Sequence, residues 1–126
     1  MVYLITGKKG AGKTEYANRL GSEMEKNGQK VSYLDGDVFR LEHQNNDFSD
    51  QGRIQNLISA AEMAATLESK GNIVIMSFVS PKKQWRDDMR KLWEKSRVIY
   101  IPGGTLWEGT TYETPTEEEL NLLKNR

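Results

Sequence analysis

The chain contains 126 residues, and its 18 lysines and arginines balance its 18 aspartates and glutamates. This length is typical of one domain with a single hydrophobic core, so we expect one domain over residues 1–126. Zero net charge gives no strong nucleic-acid signal, because no overall basic field would attract a polyanion. The sequence has no cysteine, which excludes disulfides and cysteine nucleophiles and leaves oxygen atoms as the expected metal ligands.

The first apolar run, VYLIT, is short, and no basic leader precedes it. A membrane-spanning helix needs about 20 apolar residues, and a signal peptide needs a basic segment before its apolar core. The sequence therefore predicts a cytoplasmic protein without a membrane partner. The sequence is compatible with a homodimer but does not determine the oligomeric state.

Short apolar runs rich in β-branched residues alternate with segments of helical period, which is typical of a parallel sheet covered by helices. Four runs are predicted strands, at residues 2–6, 30–34, 73–77 and 98–101. The first intervening helix carries an apolar face that begins at Ala17, and we expect Asn27 and Gly28 to end it. The pattern predicts a three-layer α/β/α fold with a parallel sheet of four or five strands.

The next two helices are predicted from their apolar spacing. One carries a stripe at helical period and ends at Lys70 and Gly71; the stripe is Ile54, Leu57, Ile58, Ala61 and Ala65. The other begins with Ser80 as N-cap and Pro81 in the first turn. Its apolar side is assigned to the core and consists of Trp85, Met89, Leu92 and Trp93.

After residue 101 the regular pattern ends. The stretch PGGTLWEGTTYETP predicts an irregular loop, with one short strand around residues 105–107. Thr116 and the acidic residues after it predict a capped terminal helix, which would dock through Leu120, Leu122 and Leu123. Trp107 and Tyr112 are interpreted either as packing over the sheet or as a platform for adenine.

The segment GKKGAGKT matches the phosphate-binding pattern G-x-x-x-x-G-K-[ST], and a predicted strand and helix flank it. It predicts a P-loop fold that binds a nucleotide and Mg²⁺, with Lys13 on the β- and γ-phosphates and Thr14 as a metal ligand. The alternative is a glycine turn without a ligand. The whole nucleotide-binding set is Gly7, Lys8, Lys9, Gly10, Ala11, Gly12, Lys13 and Thr14.

The segment LDGDVFR follows the second predicted strand. Ligands of open parallel sheets bind at the carboxyl edge, so Asp35 and Asp37 should lie near the phosphates. Two carboxylates there could take the proton of an acceptor hydroxyl and help to hold magnesium, and Arg40 could bind an anionic substrate. The alternative is an Asp-Gly turn in which both carboxylates bond only local backbone.

The segment NDFSDQGRIQN leads into the second helix. Arg53 and Asn56 are three residues apart and share a helix face near its start, where an anion would also meet free N–H groups. Phe48 could stack on a base. The alternative is a solvated helix entry, with Phe48 covering the core.

Taken in order, LDGDVFR, FSDQGRIQN and SPKKQWR resemble the motifs of adenylylsulfate kinases, and TTYETPTEEEL is similar to a segment near that family's C-terminus. The resemblance implies transfer of the ATP γ-phosphoryl group to the 3′-hydroxyl of adenylyl sulfate. It implies Asp37 as base and Asp35 as a second acid near the metal. The implied acceptor site is Arg40, Phe48, Arg53 and Asn56, and the groups implied near the transferred phosphoryl are Ser80, Lys83 and Arg86.

The chain also departs from the family pattern. Gly52 stands where the family has aspartate, and Asp47 stands where it has glycine. Family members place a lid between the fourth strand and the tail, where this chain has only PGGTLWEGT, so the resemblance is to a shortened form. Two alternatives therefore stay open: a kinase for another hydroxyl, such as a nucleoside, metabolite or modified DNA base, and an ATP-binding module with weak catalysis.

Overall fold

A computed structural model describes residues 1–43, 49–106 and 111–125. The strands are β1 Val2–Thr6, β2 Val31–Asp35, β3 Ile73–Ser77, β4 Lys95–Tyr100 and β5 Lys124–Asn125. The helices are α1 Lys13–Lys26, α2 Gly36–Glu42, α3 Asp50–Ser69, α4 Lys83–Arg90 and α5 Glu117–Asn121. Within the described ranges, no helix is long and apolar enough to cross a membrane.

The five strands form one sheet in the order β2-β3-β1-β4-β5. The first four strands of that order run parallel, and β5 pairs antiparallel to β4. Asp35 is in register with Ser77 and Thr6 with Tyr100, so the carboxyl ends of the four parallel strands share one edge. The predicted parallel sheet is confirmed, and its carboxyl edge is where a ligand is expected.

The two faces of the sheet pack against two different apolar clusters. Leu4, Met76 and Val98 lie in the larger core cluster, together with residues of α2, α3 and α4. Ile5 and Ile75 lie in the smaller cluster, with Ala17 of α1. Because side chains alternate between the faces of a strand, one sheet buries both faces and the predicted three layers are confirmed.

Two predicted element details are wrong. Ile54 is predicted in the buried stripe of α3 but is 36% exposed, because the helix turns Arg53 and Asn56 inward beside Leu57, which is buried as predicted. Ser80 was predicted as the N-cap of α4, but α4 begins at Lys83. Ser80 has a positive φ of 44°, so it belongs to a turn that precedes the helix.

The contacts of the C-terminal segment also differ from the prediction. Thr116 caps α5 by accepting the Glu119 N–H, as predicted. Leu122 and Leu123 were expected to dock the helix but are 51% and 39% exposed. Leu120 packs against the larger core cluster as predicted, and Glu119 adds a buried ion pair with Arg86 at 2.7 Å.

Candidate active site

A cleft of about 350 Å³ opens at the carboxyl edge of the sheet. Residues from the P-loop, the β2–α2 junction, α3 and the β3–α4 segment line it. Among the predicted site residues, the lining includes Lys9, Gly10, Gly12, Lys13, Thr14, Asp35, Asp37, Arg40, Arg53, Asn56 and Ser80. The structure thus brings most of the predicted nucleotide and acceptor residues around one cavity.

The P-loop presents Lys13 and the first turn of α1 to this cleft. Lys13 Nζ donates a hydrogen bond to the Lys8 carbonyl at 2.9 Å, which fixes the ammonium over the loop. Within the described residues, no side chain caps the start of α1. Its first N–H groups can therefore serve an anion.

Burial lowers the pKa of the Lys13 ammonium from its ordinary value of 10.5, and the carboxylates of Asp37 and Asp35 oppose this effect. Both carboxylates therefore lie close enough to Lys13 for their charge to act on it. The arrangement joins a cation, loop N–H groups and two acids, which suits a phosphate group next to a reacting hydroxyl.

Asp35 connects the P-loop to α2. Its Oδ2 accepts a hydrogen bond from the Thr14 hydroxyl at 2.7 Å, and its Oδ1 accepts from the N–H groups of Asp37 and Val38 at 3.0 and 3.3 Å. One carboxylate oxygen of Asp35 therefore bonds the local backbone and caps α2, as in the Asp-Gly turn considered for this segment. The other oxygen bonds the P-loop.

The Thr14 and Asp35 pair also fits the magnesium ion that a P-loop implies. Mg²⁺ is usually held by one or two oxygen side chains together with substrate phosphates and water. A hydroxyl that donates to a carboxylate keeps its lone pairs directed away from that bond, so Thr14 can still ligate. No group of three or more acidic, histidine or cysteine side chains forms a metal cage in the described ranges.

The part of the cleft lining outside the P-loop joins basic, polar and apolar groups. Arg40, Arg53 and Asn56 lie there beside Leu57 and Trp85. The buried Asn56 Oδ1 has no hydrogen-bond partner among the described residues, so it is available to a ligand. Phe48 and Asp47 lie outside the described residues, while Gly52 donates its N–H to Ser49 Oγ at 3.3 Å.

Ser80 lies at the floor of the cleft in a strained backbone conformation. Its carbonyl accepts from Arg86 Nη1 at 2.7 Å and from Thr6 Oγ1 at 3.4 Å. These contacts hold the positive φ, which costs a serine roughly 1–3 kcal/mol. Ser80 Oγ is buried and has no partner within the described ranges, so it is a second polar group that a ligand could satisfy.

Two residues expected near the transferred phosphoryl do not line the cleft. Arg86 is fully buried, and its guanidinium donates to Glu119, the Ser80 carbonyl and the Glu113 carbonyl. Lys83 directs its ammonium to Asp87 Oδ2 at 2.6 Å on the protein surface. Arg86 therefore supports Ser80 from behind, because its donors are engaged by the protein.

Contacts that the sequence does not predict also shape the site. Trp85, assigned to the core, lines the cleft. Glu113 donates its N–H to the Pro81 carbonyl at 2.7 Å, and its Oε1 accepts the Lys83 N–H at 2.9 Å. Tyr112 packs over the sheet edge, in agreement with one of its two interpretations, and its hydroxyl lies 2.8 Å from Thr6 Oγ1. Trp107 lies outside the described residues.

Comparison with known proteins agrees with this geometry. A family model described as adenylylsulphate kinase matches residues 1–103. The chain is 43% identical over 100 residues to a probable adenylyl-sulfate kinase of Archaeoglobus fulgidus, covering 79% of this chain and 64% of that one. It is 37% identical over 102 residues to a probable adenylyl-sulfate kinase of Aeropyrum pernix, covering 80% of this chain and 56% of that one.

Solved structures show the same fold. The APS kinase CysC of Mycobacterium tuberculosis matches with a TM-score of 0.78 at 24% identity, over 92% of this chain and 80% of that one. Its complex with AMPPNP and APS matches with a TM-score of 0.74 at 24% identity, over 79% of this chain and 61% of that one. The fold and the P-loop cleft place the chain in the P-loop kinase fold class.

Within that class, the chain belongs to the adenylylsulphate kinase family. It spans less than two thirds of the length of the two archaeal relatives.

Proposed function

We propose that residues 1–126 form a single P-loop kinase domain that transfers the γ-phosphoryl group of ATP to the 3′-hydroxyl of adenylyl sulfate. The observation that carries this proposal is the placement of Lys13, Asp37 and the Arg53–Asn56 pair around one cleft. Family membership supports the acceptor, since the relatives are named adenylyl-sulfate kinases.

ATP would lie with its phosphates on the P-loop. The Lys13 ammonium and the N–H groups at the start of α1 would neutralise charge that develops on the phosphoryl oxygens and on ADP. Asp37 would hold the acceptor hydroxyl by accepting its hydrogen bond. The bond from the 3′-oxygen to the γ-phosphorus forms as the bond from that phosphorus to the β–γ bridging oxygen breaks, and Asp37 takes the proton.

Thr14 and Asp35 would hold Mg²⁺ together with the ATP phosphates. The ion would supply charge neutralisation at the β- and γ-phosphates when bound. The hydrogen bond between the two side chains keeps both oxygens at the edge of the P-loop before any ligand arrives.

The acceptor nucleotide would occupy the part of the cleft outside the P-loop. Arg40 and Arg53 supply positive charge for its phosphosulfate group, and Asn56 Oδ1 supplies an acceptor for an amino or hydroxyl group. Trp85 would pack against its base, and Phe48 is the further acceptor-site residue that the sequence resemblance implies. Ser80 Oγ would lie near the transferred phosphoryl, and Lys83 and Arg86 would act through the segment that carries Ser80.

Three further expectations accompany this proposal. ATP and Mg²⁺ are the expected co-substrate and metal, and adenylyl sulfate is the expected small-molecule nucleotide. A cytoplasmic location remains a prediction of the sequence. A homodimer is an assembly that size measurements in solution would decide.

ADP formation from ATP and Mg²⁺, measured with and without adenylyl sulfate, tests the function. We expect acceptor-dependent ADP release in the wild-type protein and a fall of at least about 100-fold in Lys13→Ala and Asp37→Asn, since each removes a charge at the reacting groups. ATP binding without acceptor-dependent release would contradict the proposed acceptor and favour another hydroxyl substrate or a binding module.

A further inference from the structure

The segment that follows β4 lies against the outer side of the P-loop. The Lys9 N–H donates to the Thr105 carbonyl at 2.9 Å, and the Thr105 N–H donates to the Lys9 carbonyl at 2.8 Å. These two residues form an isolated antiparallel bridge outside the sheet. We call residues 102–105 the P-loop strap.

Gly104 makes this close approach feasible. Its φ is +74°, and a Cβ at this position would lie 2.5 Å from the Lys9 carbonyl oxygen and 3.0 Å from the Ala11 nitrogen. Gly103 has a similar φ of +91°, but a Cβ there would meet nothing within 4 Å. Both glycines therefore adopt a positive φ, but only a side chain at position 104 would contact the P-loop.

Lys8 connects the P-loop strap to Lys13. A Cβ on Gly104 would lie 3.1 Å from the carbonyl carbon of Lys8, and the oxygen of that carbonyl accepts the hydrogen bond from Lys13 Nζ. The segment after β4 also approaches the start of the P-loop, since a Cβ on Gly7 would lie 2.5 Å from the Ile101 carbonyl oxygen. The chain after β4 thus touches the P-loop at its start and at its middle.

We infer that the P-loop strap is a positioning element for the nucleotide. By fixing the backbone at Lys8 and Lys9, it holds the Lys13 ammonium and the loop N–H groups in the arrangement that the phosphates of ATP require. A P-loop without this support would have to order itself on binding, which costs affinity. Gly104 and Thr105 act through the P-loop and are positioning residues, and the inference rests on the proposed function because it takes ATP as ligand.

A pair of neighbouring glycine substitutions tests this inference. We expect Gly104→Ala to raise the Kd for ATP and the KM for ATP roughly tenfold or more, because a misplacement of about 1 Å at a catalytic group can cost on the order of 100-fold. The KM for adenylyl sulfate should stay near the wild-type value. Gly103→Ala imposes similar backbone strain without touching the P-loop, so its ATP affinity should stay within about twofold of wild type.

A second pair separates the backbone bridge from the side chain of Thr105. Thr105→Pro removes the N–H that donates to Lys9 and should weaken ATP binding in the same direction as Gly104→Ala. Thr105→Val retains both backbone bonds and should bind ATP like the wild type. In the wild type, ATP should slow hydrogen exchange at the Thr105 amide, because coupling between two sites is reciprocal.

Equal ATP affinity in Gly104→Ala and Gly103→Ala would overturn the inference. It would also be overturned if Gly104→Ala raised both KM values together with a loss of thermal stability, since that result indicates a general fold defect. A wild-type protein that binds ATP but does not phosphorylate adenylyl sulfate contradicts the proposed function alone. The ATP affinities of the glycine pair would still decide the role of the strap.

Discussion

At the scale of single residues, the chemistry of the cleft depends on side chains that serve two elements at once. Asp35 caps α2 with one oxygen and bonds the Thr14 hydroxyl with the other. Lys13 bonds the Lys8 carbonyl while facing the charges of Asp35 and Asp37. Such shared side chains hold the proposed catalytic groups in place before substrates bind, which is the preorganisation that electrostatic catalysis requires.

The lowered pKa of Lys13 predicts a pH dependence of ATP binding. Burial is the main cause of the shift, so the ammonium loses its proton at a lower pH than an ordinary lysine with a pKa of 10.5. Below the lowered pKa the cation is present and binds phosphate; as pH rises through it, affinity should fall. Calorimetric titration of ATP and Mg²⁺ between neutral and strongly alkaline pH measures this directly.

The control for that titration is Lys13→Arg, because arginine stays charged throughout the range. Its absolute affinity can be lower, but we expect its pH profile to be flatter than that of the wild type. The assignment of the titration to Lys13 fails if both proteins lose affinity over the same pH interval.

Trp85 gives a second prediction at this scale. If the acceptor base packs on its indole, adenylyl sulfate should change the tryptophan fluorescence, and Trp85→Ala should weaken acceptor binding about tenfold, since stacking of a base on an aromatic side chain is worth roughly 1–3 kcal/mol. Trp93 is buried and donates to the Ala61 carbonyl, which makes it a poor reporter of the cleft.

Trp85→Phe retains an aromatic face and should keep most of the acceptor affinity. ATP affinity should be unchanged in both variants, because Trp85 belongs to α4 and not to the P-loop. Wild-type acceptor affinity in Trp85→Ala would place the base elsewhere.

At the scale of elements, distant side chains determine where α4 begins. Glu113 accepts the Lys83 N–H and fixes the Pro81 carbonyl, so the helix starts three residues after the serine that local rules select. The same region is tied to α5 by Arg86 and Glu119, whose side chains are 0% and 2% exposed. The turn that carries Ser80 is thus held by the C-terminal segment.

We predict that the buried Arg86–Glu119 ion pair stabilises this arrangement only while both charged side chains are present. Glu119→Ala leaves a buried guanidinium without its carboxylate, which typically costs about 3–5 kcal/mol in the free energy of unfolding. Glu118→Ala, an exposed acid in the same helical turn, should cost under about 1 kcal/mol. Chemical denaturation measures the free energy of unfolding of the two variants. Similar losses of this free energy in both variants would contradict a stabilising role for the buried ion pair.

At the scale of the whole molecule, the sequence predicts those features that local patterns encode. The P-loop follows from GKKGAGKT, the parallel sheet from the alternation of apolar runs, and the cleft from the position of LDGDVFR after a strand. These signals are contained in neighbouring residues, so their structural outcome depends little on distant parts of the chain.

The features that the sequence did not predict depend on contacts between residues far apart in the chain. Arg86 was matched to a phosphoryl-binding arginine, yet its position is decided by Glu119 and by the Glu113 carbonyl, both about 30 residues away. The bridge between Lys9 and Thr105 joins residues nearly a hundred positions apart. Side-chain pattern cannot reveal such pairings, because a backbone bridge requires no particular residue type beyond a glycine that permits the approach.

The central claim is that the phosphoryl group of ATP reaches the 3′-hydroxyl of adenylyl sulfate. The most direct measurement is incubation of the protein with ATP, Mg²⁺ and adenylyl sulfate, followed by mass spectrometry and phosphorus NMR of the nucleotide product. We expect one added phosphate at the 3′-oxygen and no product from a 3′-deoxy analogue of adenylyl sulfate. ATP binding with no phosphorylated adenylyl sulfate, or phosphate at another position, would contradict it.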